Sequence, residues 1–255
     1  MASQQTKLSP GMAHLSAQIE YNQSVADQIS ESSEHHKRVL QALQQWQRAR
    51  LDATYADLRS SDRYHAACEF FLDELYGGRD VAARDRQLTK AAPVMRRFLP
   101  DDLLAAVGDA LRLQAMSLAF DFKLAGLLIE AEVIDQPGYA EAYRRDQNWA
   151  GRREQLTLIF ELGQLLGETV QHAMVHRLIR MMRAPAKLAG FGLLQAFLQE
   201  GLDAFSKMGA PDLFLETIHT REQQALEAME TGDLYPFQAW IGQGPEPILI
   251  GQARR

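Results

Sequence analysis

The chain has 255 residues, a formal net charge of −6 and one cysteine. That length can bury a sizeable core without covalent staples, and the acidic balance argues against a broad basic face for duplex nucleic acid. The lone Cys68 excludes an intramolecular disulfide and suits a reducing compartment. With no secretory leader and no continuous apolar run of bilayer length, a cytoplasmic protein that neither enters a membrane nor binds nucleic acid is expected.

Residues 1–30 are rich in Gln, Ser and Ala and poor in large apolar groups, which predicts a frayed N-terminal arm. Residues 31–233 read as a single all-helical domain. Val39, Leu40, Leu43, Trp46, Leu51, Tyr55 and Leu58 trace the stripe of a long amphipathic helix. His35 and His36 at its start point about a third of a turn apart, a poor chelate, and are expected to be solvated.

The chain is organised around Ser60–Asp85. Tyr64, Ala67, Cys68, Phe71, Leu72 and Leu75 recur at spacings of three and four, so one helical face should be buried, with Cys68 a structural thiol on it. Ser60, Ser61 and Asp62 offer N-cap oxygens, and Gly77-Gly78 can close the C-terminus. Asp80 can cap a second helix and pair with Arg84, four residues on. The joint reads as a capped helix corner. Its functional alternative is an anion or partner site using Tyr76, Asp80, Arg84 and Asp85.

FFLDELYGGRD followed by RDRQL resembles the FFL-x-x-LYG…D…RD signature of an uncharacterised family of bacterial conserved hypothetical proteins, a domain of unknown function. The likeness extends more loosely from TYADL, through RAPAKLAGFGLLQAFLQEGLDAF, to REQQALEAMETGD. It implies a bacterial, soluble, helical protein and transfers no catalytic residue. Where the pattern carries Pro after the LYG glycine, this chain has Gly78.

Further on, Pro100 followed by Asp101-Asp102 starts a helix that runs towards Ile129 and is apolar on more than one face, hence central. Asp135-Gln136-Pro137-Gly138 is the clearest interior turn. A short Tyr139–Arg145 helix leads to the longest periodic segment, about 148–183. His172 and His176 there have metal-ligand spacing but no intervening glutamate base, and are read as interfacial. Arg177, Arg180, Arg183 and Lys187 line one side before Pro185, which should break or kink the helix. This run suits a helix C-terminus, and Arg180 and Arg183 could hold an anion.

Ala186, Ala189, Gly190 and Gly192 suggest a small-residue patch for close helix approach. Gly209-Ala210-Pro211-Asp212 ends one helix and begins another. Glu216 and His219 form one Glu-x-x-His unit, and no second unit completes a carboxylate-bridged metal site. Arg221-Glu222 is as well read as a salt link between helices. Residues 234–255 lose periodicity but keep Tyr235, Phe237 and Trp240, an irregular tail that either crosses a groove or acts as a linear partner motif.

Short Gly/Pro turns and no strand pattern point to an all-α, compact bundle of about eight helices. The leading functional expectation is a non-catalytic module that binds a protein partner or itself through the long amphipathic helix, with no cofactor. The alternative is a ligand- or metal-binding helical enzyme or sensor using His172, His176, Glu216 and His219 with Arg180 or Arg183.

Overall fold

The computed structural model describes residues 8–76, 91, 92, 95–97, 99–190 and 192–252. It is all-α. In chain order the helices are α1 (Pro10–Glu31), α2 (Glu34–Thr54), a short α3 (Ala56–Arg59), α4 (His65–Tyr76), α5 (Asp101–Leu127), α6 (Gln136–Asp146), α7 (Trp149–Thr169), α8 (Ala173–Leu188), α9 (Gly192–Met208), α10 (Asp212–Thr231) and a short α11 (Gln238–Ile241). Among the described residues the strand content is one antiparallel pair, β1 (Val133–Ile134) with β2 (Ile248–Leu249), Val133 facing Leu249.

Residues 10–31, expected to fray, are a full helix. Pro10 stands at its first turn and the Ser9 hydroxyl accepts from the Met12 N–H at 3.3 Å, a proper N-cap. Its apolar residues are few but correctly spaced: Met12 and Leu15 are buried against Leu104 and Leu111 of α5. Polar contacts fix the register. Asn22 donates from Nδ2 to the Leu111 carbonyl at 2.8 Å, and His14 Nε2 meets Asp109 Oδ1 at 2.8 Å.

The stripe on α2 is core, not an association surface. Val39, Leu43 and Trp46 are fully buried, and Trp46 packs on Tyr139 and Phe237 with centroids 4.7 and 6.5 Å apart. His35 and His36 are not simply solvated either. Their Nε2 atoms meet the Ile129 and Phe122 carbonyls at 2.8 and 2.9 Å, and His36 stacks on Phe122, so the pair ties the start of α2 to the end of α5.

The Asp135 turn is the N-cap of α6, its carboxylate accepting from the Gly138 N–H at 2.8 Å. The buried Gln136 side chain holds the chain's end. It donates to the Gly242 and Gly244 carbonyls at 3.0 and 2.7 Å and accepts from the Phe237 N–H at 3.1 Å. The segment after Gly232 thus lies against the α2 and α6 layer, with Phe237 and Ile250 buried in the same cluster as Trp46.

The segment 148–183 is two helices, not one. The chain turns at Val170–His172, where β-branched Thr169 and Val170 meet, and α8 then runs past Pro185 to Leu188 without ending there. The close-approach glycines are also elsewhere. Gly190 and Gly192 face open space, whereas a Cβ on Gly163 or Gly167 of α7 would stand 2.4 Å from Leu215 or Pro211, so α7 and α10 meet across these two.

Candidate functional site

The apolar residues of α4, α5, α7, α9 and α10 do not all find packing partners. On α5 one face meets α1, while Leu103, Leu113 and Leu118 on its other side remain half-buried. Leu156, Ile159 and Leu162 of α7 and Phe70 and Phe71 of α4 are in the same state. All of them line one interior cavity of about 1100 Å³. That volume is at or just above the upper end of the ~300–1,000 Å³ usual for small-molecule sites.

The same cavity explains an oddity of α5. By length and composition alone this helix could cross a membrane, yet only 28% of its most apolar window is buried within the protein. Its second apolar face borders a space rather than another helix. The sequence expectation concerned a continuous apolar run; α5 reaches bilayer length on average hydropathy, with Asp109, Arg112, Asp121 and Lys123 interrupting the run.

One wall of the cavity is polar, and four helices build it. Gln47 of α2 donates from Nε2 to Asp121 Oδ1 of α5 at 3.0 Å, and sits 3.5 Å from the Tyr139 hydroxyl of α6. Tyr139 in turn donates to the Tyr143 hydroxyl at 3.0 Å. From α7, Arg152 lays its guanidinium over the Tyr143 and Phe120 rings, 4.4 and 4.7 Å from their centroids. Arg152 Nη1 reaches Gln155 Oε1 at 3.3 Å, and Gln155 Nε2 donates to Ser117 Oγ at 2.7 Å.

This wall is under-satisfied. Arg152 and Gln47 are 5% and 2% exposed, yet Arg152 Nε and Nη2 and Gln47 Oε1 have no hydrogen-bond partner among the described residues. A buried polar atom without a partner costs free energy, so its persistence needs an explanation. Burial pushes the Asp121 carboxyl above its ordinary range, against the pull of Arg152 and the Gln47 hydrogen bond. Burial likewise raises the Tyr143 phenol far above its usual value, so it stays a protonated donor.

A second polar cluster on the cavity is built on an ion pair. Arg50 of α2 pairs with Glu222 of α10, which also accepts from the Tyr55 hydroxyl at 2.7 Å. Arg50 lies over the Phe237 ring at 4.4 Å. Arg221 meanwhile forks onto Asp57 at 2.9 and 2.6 Å, so the Arg221-Glu222 pair does link helices, each residue to a different partner. Cys68 lines the cavity too. Burial pushes its thiol up to about 11, which keeps it protonated and unreactive at neutral pH, in line with a structural thiol.

Of the candidate site residues singled out from sequence, those that are described do not line this site. Asp80, Arg84 and Asp85 lie outside the described residues, as does the Tyr76 side chain; Phe70 and Phe71 just before them line the cavity. Arg180 and Arg183 stand exposed on α8. His172 is exposed in the α7–α8 turn, while His176 Nε2 meets the Val170 carbonyl at 2.8 Å. Glu216 is exposed on α10, and His219 packs by its ring 5.4 Å from Phe160. Among the described residues no three His, Cys, Asp or Glu side chains converge to hold a metal ion. The four metal candidates are therefore not brought to one point.

Sequence reasoning passed over Arg152, Asp121 and Gln47. The signal was faint but present: Asp121 is a lone carboxylate between Phe120 and Phe122, and Gln47 and Arg50 continue the buried α2 stripe at helical spacing. No curated protein and no solved structure matches the chain. The family described as a domain of unknown function, DUF8198, matches residues 26–236, and the chain belongs to it.

Proposed function

We propose that the protein is a cytoplasmic binding protein that holds an apolar or amphipathic small molecule in its interior. The observation that carries this reading is the cavity of about 1100 Å³, lined mostly by apolar side chains, leucine above all, and bearing one polar wall. Close-packed interiors rarely leave such space empty of purpose, and an apolar cavity with a few convergent polar groups is the usual form of a ligand site. Native mass spectrometry of gently purified protein, with a titration of 1-anilinonaphthalene-8-sulfonate, tests it. A bound organic mass or saturable uptake near one per folded chain supports the reading. A folded chain that takes up no probe and carries no extra mass ends it.

A second reading is a module that binds a protein partner or a second copy of itself. With the α2 stripe buried, its support moves to Met181 of α8 and Leu213 of α10, which are 67% and 60% exposed. Light scattering of the wild type beside Met181→Asp and Leu213→Asp tests self-association. A wild-type dimer that dissociates in either variant favours it, and a monomer throughout removes self-association.

A further inference from the structure

The polar wall says which class of molecule the cavity takes, an inference that rests on the binding reading above. A guanidinium offers five N–H donors in one plane. In Arg152 the Phe120 and Tyr143 rings cover its faces and Gln155 takes up Nη1. The two atoms without partners, Nε and Nη2, are those whose N–H bonds run side by side along one edge. That edge is the fork that matches the two oxygens of a carboxylate.

Arg152 lies in a wall of an otherwise apolar space, and no carboxylate is within ion-pair distance of it among the described residues. Asp121 and Asp146 both act on Arg152 electrostatically, but the Asp121 hydrogen bond comes from Gln47 and Asp146 is paired with Lys123. The other two arginines that line the cavity are paired, Arg50 with Glu222 and Arg59 with Asp52 and Glu69. The one unpartnered fork matches one anionic head, and the cavity volume accommodates a long apolar body.

We propose that the cavity binds an amphipathic monocarboxylic acid, its carboxylate held by the Nε and Nη2 edge of Arg152 and its chain lying between α4, α5, α7 and α9. Gln47 Oε1, the third atom of this wall without a partner, is an acceptor and does not favour an anion beside it. It suits a hydroxyl or a water at the rim of the head group. A dianionic head such as a phosphate monoester would place a second charge near Asp121 and is disfavoured.

The test uses the full chain and the fluorescent polyene cis-parinaric acid, displaced by hexadecanoic acid, hexadecanol or methyl hexadecanoate. The expected result is one probe per chain, with the acid displacing it at about tenfold or more lower concentration than the alcohol or ester, as a charge-assisted bidentate pair implies. In Arg152→Gln the acid's advantage is lost while the alcohol's affinity is kept; Arg152→Lys, which keeps charge but not the fork, falls between. The wild-type acid-to-alcohol ratio stands as a test even where a variant fails to fold. Equal displacement by acid, alcohol and ester overturns the carboxylate assignment and leaves the binding reading intact. No uptake of probe by folded wild type overturns both.

Discussion

Helix α2 carries two neighbouring regions built to opposite ends. Around Trp46 the chain packs rings from α2, α6 and the C-terminal segment into a filled cluster, and Gln136 ties that segment down with three hydrogen bonds. One residue on, Gln47 lines the cavity, where many side chains are half-buried and three polar atoms of one wall lack partners, against the single Trp46 Nε1 in the filled cluster. The difference separates stability from function. The filled cluster holds the fold together, while the open wall carries a standing cost that a ligand would relieve.

The sharpest way to break this comparison is Trp46→Ala. A fully buried tryptophan truncated to alanine should cost about 3–5 kcal/mol, seen as a lower urea midpoint at unchanged slope. A paired substitution then probes both regions with one chemistry. Leu43→Phe overfills the Trp46 cluster, where Leu43 is fully buried, and should cost about 1–3 kcal/mol. Leu118→Phe grows into the cavity instead and should stabilise by about 0.5–2 kcal/mol while weakening probe uptake. Equal destabilisation by both phenylalanines would mean that the space beside Leu118 is not open.

The same contrast governs what could be read from the sequence. The buried face of α4 was legible because Tyr64, Ala67, Cys68 and Leu72 are local and periodic, and all four are buried. The turn at Asp135 was legible because its signal is local too, and it is the N-cap of α6. Helix α1 was not, since its order depends on long-range partners: Asn22 finds the Leu111 carbonyl and Gly11 the Asp101 carboxylate. The cavity was hidden more deeply. An apolar face has one periodicity whether it meets another helix or an empty space, so Leu118 and Leu124 look alike in the sequence although only Leu118 lines the cavity. Arg152 and Arg153 are adjacent and chemically identical, yet one is buried over two rings and the other half-exposed and paired with Glu230. Only tertiary placement separates them.

The subtlest prediction concerns the proton on Asp121. Its carboxyl has a raised folded-state pKa, chiefly through burial, with Arg152, Gln47, Gln44 and Arg50 pulling the other way. Between the unfolded value of about 3.9 and the raised folded value, the folded chain keeps a proton that the unfolded chain has lost. Stability linked to this group is therefore complete below the unfolded pKa, falls as pH rises towards the folded pKa, and stays at its reduced level above. Asp121→Asn removes the titration while keeping the shape. Urea midpoints taken from pH 4 to 8 should show wild type losing stability relative to the variant as pH rises, then running parallel to it; the Asp57–Arg221 pair and other carboxylates cancel in the difference. A difference that is flat with pH would place the Asp121 carboxylate in an environment as polar as water, and the wall would lose its claim to be dry.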